Sequence, residues 1–149
     1  MSPAWTRDVQ PGHALPTFEP PPVSRLALAL YCGASGDHNP VHVDIDFARA
    51  AGLDDVFAHG MLSMAWLGHA LTGWVPQQSI REYRVRFAAI TRIGERVRCR
   101  GEVVEVRDRN GERQARVTVR AHSLAGEVKL DGDAWIALAP QSDQSLESK

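Results

Sequence analysis

Four stretches in the second half of the chain alternate apolar and polar side chains with a period of two, the pattern of a strand with one buried face. In the first, Tyr83, Val85 and Phe87 alternate with Arg84 and Arg86. In the second, Val97, Cys99 and Gly101 alternate with Arg98, Arg100 and Glu102 until the phase slips at Val103-Val104, as an extra residue in a bulge makes it do. Asn110-Gly111 predicts a hairpin turn into a third strand whose inward row is Ala115, Val117, Val119 and Ala121. Gly126 predicts the next turn, into a last row of Val128, Leu130, Ala134, Ile136 and Leu138. The segment ahead of the strands differs in character. From Met61 to Trp74, apolar groups occupy nearly every face of a helix, and such a helix must be enclosed by other elements. One long buried helix followed by four antiparallel strands makes an α+β layer, a curled sheet wrapped around the helix. Its unpaired edge favours a dimer that continues the sheet.

The N-terminal part reads differently. Prolines at positions 3, 11, 16, 20, 21 and 22 deny regular helix, so residues 1–23 are expected to form an extended arm laid over the domain, with Phe18 as its anchor. Ser24 is placed to cap a short helix through Leu26, Leu28, Leu30 and Tyr31 that ends in the segment from Gly33 to Gly36. A second short helix is expected from Ile45 to Ala51. Residues 24–140 thus make one domain, and the polar residues 141–149, without apolar anchors, are expected to form a frayed tail.

Composition narrows the function. The 149 residues fit one domain. With 17 basic and 18 acidic side chains the net charge is -1, which gives no footprint for nucleic acid or an anionic membrane surface. A small ligand is the better expectation. The longest apolar stretch, Met61 to Val75, is interrupted by Ser63, Gly68, His69, Thr72 and Gly73 and falls short of the roughly 20 residues that span a bilayer. The first residues lack the basic and apolar runs of a secretory signal, so a cytoplasmic location is expected. Cys32 and Cys99 have neither zinc-knuckle nor redox-pair spacing and read as reduced, inert thiols.

The chemistry concentrates between Asp37 and Asp44, where Asp37-His38-Asn39-Pro40-Val41-His42-Val43-Asp44 holds two carboxylates, two imidazoles and an amide. Asp37 and His42, five residues apart around the turn Asn39-Pro40, are close enough to share one water or one substrate carbon without a metal. Gly60 opens the apolar helix, so its N–H has no partner within the helix and lies at the positive end of the dipole, where an oxyanion would sit. His38, His42, Asp44 and His59 do not follow a metal-ligand spacing, and no metal or other cofactor is expected.

The run from Tyr31 to Asp44, with its Asp37, Asn39-Pro40 and His42, followed by Ala58-His59-Gly60-Met61, resembles the MaoC-like and (R)-specific enoyl-CoA hydratase family. The resemblance extends from about Ser24 to Leu138 and implies the hot-dog fold. It implies reversible syn hydration of a trans-2-enoyl thioester of coenzyme A or acyl carrier protein to the (R)-3-hydroxyacyl form. Asp37 and His42 would be the catalytic pair, and the Gly60 amide would polarise the thioester carbonyl. Asn39, which would orient the loop, and His59 are the candidates for substrate contact. Gly52-Leu53-Asp54, Ala58 to Met64 and Glu82 to Phe87 are similar to the catalytic subunit of mycobacterial-type (3R)-hydroxyacyl dehydratases. That likeness implies a dimer, either of this chain with itself or with a second hot-dog chain. One departure is Gly68, where some hydratases of the family carry a serine; glycine there implies extra room for an acyl chain.

Two rival readings follow from the same residues. A hot-dog thioesterase would need a carboxylate on the central helix, and Met61 to Trp74 has neither Asp nor Glu. A non-catalytic acyl-binding subunit would have no need of the intact Asp37 and His42 pair. Ser63 lacks the Gly-x-Ser-x-Gly setting of a nucleophile and reads, like His69, as a core residue.

Overall fold

The computed structural model describes residues 8–139. Three helices precede a four-stranded sheet: α1 (Arg25–Ser35), α2 (Ile45–Ala50) and α3 (Gly60–Thr72), then β1 (Ile80–Phe87), β2 (Val97–Arg109), β3 (Glu112–Ser123) and β4 (Val128–Ala137). All pairings are antiparallel and the order is β1-β4-β3-β2, so the chain crosses from one edge of the sheet to the other between β1 and β2. This is the expected α+β hot-dog architecture, with α3 seated against the concave face.

Local chemistry explains the element ends. The Ser24 Oγ accepts the Ala27 N–H at 3.1 Å and starts α1, which continues past the expected stop through Gly33. Gly36 ends it in a left-handed conformation (φ 76°) with its N–H on the Cys32 carbonyl, a geometry that costs glycine little. Asn110 (φ 54°) and Gly111 (φ 79°) form the β2–β3 turn, and the register shift between Val103 and Glu105 is the bulge expected at Val104.

The main core lies between α3 and the sheet. Leu67, Ala70 and Leu71 meet Val97, Cys99, Val103, Val117, Val119, Leu130 and Ile136 there. Burial pushes the Cys99 thiol up to about 12, so it stays protonated and inert. A second cluster under α1 and α2 gathers Val23, Leu28, Ala48, Val56 and Ala58.

Three expectations need correction. The sheet of one chain does not enclose α3, because four strands cover one side only; Met61 is 54% exposed and Ala65 also faces outward. His69 is an exposed residue whose ring packs on Phe18 at 4.3 Å, not a core residue. Phe18 is half-buried and is not the sole anchor of the arm, since Val9, Leu15 and Val23 are all buried. The arm runs along β2 with ladder-like bonds, Leu15 N–H to Gly101 O (2.9 Å), Phe18 N–H to Cys99 O (3.0 Å) and Cys99 N–H to Phe18 O (2.8 Å). It therefore closes the β2 edge, and β1 keeps a free edge among the described residues.

Lys129 was not singled out in the sequence and is fully buried. Its ammonium donates to the Ile90 carbonyl (2.8 Å), to Glu95 (2.9 Å) and to Glu127, which fixes the segment crossing between β1 and β2. A buried charge is tolerable only with such a set of partners. On the outer face, the Arg107 and Arg109 guanidinium groups lie 4.8 and 4.7 Å from the Trp135 ring centroid. Arg84, Arg98, Arg116 and Arg120 are paired with Asp133, Glu19, Glu105 and Asp131.

Two outcomes test this account. Leu15→Ala should destabilise the fold by about 2–5 kcal/mol in urea unfolding, the range for a buried leucine, whereas a merely draped arm would lose almost nothing. The hydrogen bond and charge of Lys129 hold the Glu127 carboxyl below its ordinary value of 4.5. That bond adds stability above the ordinary value and loses it as pH falls through the folded one. In Lys129→Met, carboxyl NMR titration should find Glu127 back near its ordinary range, with a flatter acid limb of stability.

Candidate active site

The loop between α1 and α2 is held by its own polar side chains. The Ser35 hydroxyl accepts the Asp37 N–H (3.2 Å), the Asp37 carboxylate accepts the Asn39 N–H (3.3 Å), and Asn39 Oδ1 accepts the Val41 N–H (3.2 Å). Asn39 thereby caps a single 3-10 turn, Pro40–His42, with the proline at its start, where a missing N–H does no harm. Asp44 caps α2 through the Asp46 and Phe47 N–H groups at 2.9 and 3.1 Å. His38 is exposed and stands apart from the cluster the loop builds.

The turn drives His42 inward to 8% exposure, where its Nδ1 lies 2.8 Å from the Phe57 carbonyl. A carbonyl only accepts, so Nδ1 carries the hydrogen and Nε2 keeps a free lone pair. Asp37, on the exposed rim, completes the meeting: one donor atom each of Asp37, His42 and His59 lie within 4.8 Å of one another.

His59 immediately precedes α3 and is 1% exposed. Its Nε2 lies 3.1 Å from the Asp37 carbonyl, and its ring stacks on His42 with centroids 3.9 Å apart and planes at 29°. The Tyr31 ring of α1 also packs against His59, tilted, with centroids 4.9 Å apart. Burial, and then the neighbouring His42, push the His59 imidazole below its ordinary value, against the Asp37 backbone bond and charge that pull it up. These three residues are the ones among those described that would meet at a cation. Imidazole lone pairs lie in the ring plane, however, and two nearly parallel stacked rings direct them side by side instead of onto one point, a poor fit to the roughly 2.0–2.1 Å bonds of a shared zinc. The arrangement suits proton transfer.

Gly60 begins α3, so its N–H is one of the first-turn donors without an intrahelical acceptor. A Cβ there would lie 3.0 Å from Phe87 Cε1, so any other residue would have to push the exposed Phe87 ring aside. Beside it opens a largely apolar cleft of about 320 Å³ between Phe57, Gly60, Ser63, Phe87, Ile90 and Thr91. Ser63 is buried and faces the Thr91 hydroxyl at 3.4 Å, a packing contact across the floor. The space beside Gly68 is taken by the Tyr83 ring, whose Cε1 would lie 3.5 Å from an added Cβ and whose hydroxyl donates to the Met64 carbonyl (2.9 Å).

The structure thus brings Asp37, His42, Asn39, His59 and Gly60 to one end of α3. The Phe57 carbonyl and the Phe87 and Thr91 walls of the cleft escaped the sequence reading. A backbone carbonyl carries no residue signature, and Phe87 reads as one more inward strand position.

The sequence matches the MaoC like domain family model over residues 8–125. The 3-hydroxyacyl-thioester dehydratase Z of Mycobacterium tuberculosis is 31% identical over 127 residues, covering 80% of each chain. The (R)-specific enoyl-CoA hydratase of Rhodospirillum rubrum is 33% identical over 119 residues, covering 76% of this chain and 78% of that one. Among solved structures, the unliganded R-hydratase PhaJ1 from Pseudomonas aeruginosa matches with a TM-score of 0.77 and 26% identity, over 90% of this chain and 84% of that one. With a family model spanning most of its length and relatives of this similarity, the chain belongs to the MaoC-like domain family and stands among its hydratases and dehydratases.

Proposed function

We propose that the chain catalyses the reversible syn addition of water to a trans-2-enoyl thioester, giving the (R)-3-hydroxyacyl thioester of coenzyme A or acyl carrier protein. The observation that carries this reading is the meeting of Asp37 and His42 within 4.8 Å, at the end of α3 where Gly60 offers a free N–H. The thioester oxygen takes that N–H and the positive end of the helix dipole, which stabilise the enolate-like charge. A water between the two side chains attacks C3. His42, with hydrogen on Nδ1 and a lone pair on Nε2, takes one water proton and returns it to C2, while the Asp37 carboxylate accepts a hydrogen bond from the O–H that stays on the oxygen and so orients the attack. One base serving both positions leaves no net proton and places both additions on one face of the double bond.

The uncovered face of α3 and the free β1 edge support assembly with a second hot-dog chain, a copy of this one or a different subunit. α3 has no carboxylate to activate a hydrolytic water, which speaks against a thioesterase. No helix of the described residues is long and apolar enough to cross a membrane, and a cytoplasmic location is proposed.

On mixing with crotonyl-CoA and a longer trans-2-enoyl-CoA, the enoyl-thioester absorbance should fall and chiral analysis should find the (R)-3-hydroxyacyl product. Silence on both, with a dimer present, would sink the reading. Asp37→Asn and His42→Ala should each lower kcat at least about a hundredfold. A chain that sediments as a monomer in analytical ultracentrifugation would argue against the assembly.

A further inference from the structure

His59 is the one residue of the cluster that faces no open space. It is 1% exposed, with the Tyr31 and His42 rings both packed against it. The orientation of its two nitrogens is informative. Nε2 faces the Asp37 carbonyl, an obligate acceptor, and must carry the hydrogen. Nδ1 is buried and has no hydrogen-bond partner among the described residues. A second hydrogen on Nδ1 would be a buried, unpaired donor on a charged ring, which is far costlier than an unpaired acceptor. The ring is therefore fixed as the neutral Nε2–H tautomer, and the charged groups facing it, the Asp37 carboxylate and His42, come from the loop alone.

The His42 ring is packed against this fixed plate and tied at its own Nδ1 to Phe57, two residues before His59. Asp37 is tied to the same plate by its main chain. We infer that His59 is a positioning residue, which holds Asp37 through its carbonyl and backs the His42 ring with an uncharged surface, so that carboxylate and Nε2 face one water. A protonated ring there would repel His42 at the moment His42 takes the water proton. A neutral ring of the same shape does not. The kinetic part of the inference rests on the hydratase reading given above; the tautomer and the geometry do not.

The test separates hydrogen bond from ring. His59→Phe keeps a stacking surface and loses the donor; His59→Gln keeps a donor near the Nε2 position and loses the ring. In the intact dimer with an enoyl-CoA, the Phe variant should lose between about ten- and a hundredfold in kcat, the scale for a displaced catalytic group, with KM within about threefold. The Gln variant should recover part of that loss. Long-range proton–nitrogen NMR of the wild type near neutral pH should find His59 as the neutral Nε2–H form, and the Phe variant should shift the His42 ring resonances. An unchanged kcat in His59→Phe overturns the inference and leaves the hydratase reading intact. A protonated or Nδ1–H His59 in the wild type overturns it whatever the kinetics. A wild type inert on enoyl thioesters overturns the hydratase reading, and the NMR of wild type and variants then decides the inference alone. Should the Phe variant fail to fold, the Gln variant and the wild-type spectrum carry the same decision.

Discussion

Two hydrogen bonds of opposite sense tie the site together: His42 donates to the carbonyl of Phe57, and His59 donates to the carbonyl of Asp37. Each histidine belongs to the segment whose carbonyl the other one holds. The loop before α2 and the loop before α3 are thus locked in one register, with the two imidazoles stacked between them. The segment before α3 is also held by the Phe57–Arg92 bridge, but the loop before α2 has no ladder, so these two bonds set the relation of the acid/base pair to the start of α3. Side-chain bonds of this kind, partly shielded from water, each contribute about 0.5–1.5 kcal/mol. Their main effect is on geometry.

A second layer of constraint reaches the cleft from the sheet. The chain crosses from one sheet edge to the other between β1 and β2, and this crossing supplies Ala88 to Thr91 as one wall beside Gly60. Such a crossing has few ladder bonds of its own, so Lys129 takes over the role of an anchor from inside the sheet. Ala58 N–H on the Thr91 carbonyl (2.8 Å) joins that wall to the residue ahead of His59. The wall, the helix start and the polar loop are thereby tied to one another.

Much of this was legible in the residues. The period-two rows from Tyr83 to Leu138, the bulge at Val104, the Asn110-Gly111 turn and the cap at Ser24 each rest on local physics, and local physics decided them. Asp37 and His42 stood out because a five-residue spacing around a proline turn returns the chain on itself. Where the sequence misled, the deciding contact was distant. Leu15 and Val9 look unremarkable among prolines, yet β2 offers Leu15 an open edge about 85 residues later, and both side chains join the main core. An apolar α3 suggests complete enclosure, but one chain has only enough sheet for one side. Lys129 looks like an outward strand residue until the crossing segment folds over it.

The pairing of the arm with β2 also sets an order of events. The arm precedes its pairing partner in the chain, so its hydrogen-bonding groups have no acceptor or donor on β2 until residues 97–103 have been made and have joined β3. Closing so long a loop is entropically costly before the sheet exists, so the arm docks late, onto a template already formed. Until then, the β2 edge is bare and able to pair with a neighbouring nascent chain. A segment made before the sheet thus arrives on it last, a built-in cover that ends the interval in which a bare β2 edge can stick to another molecule.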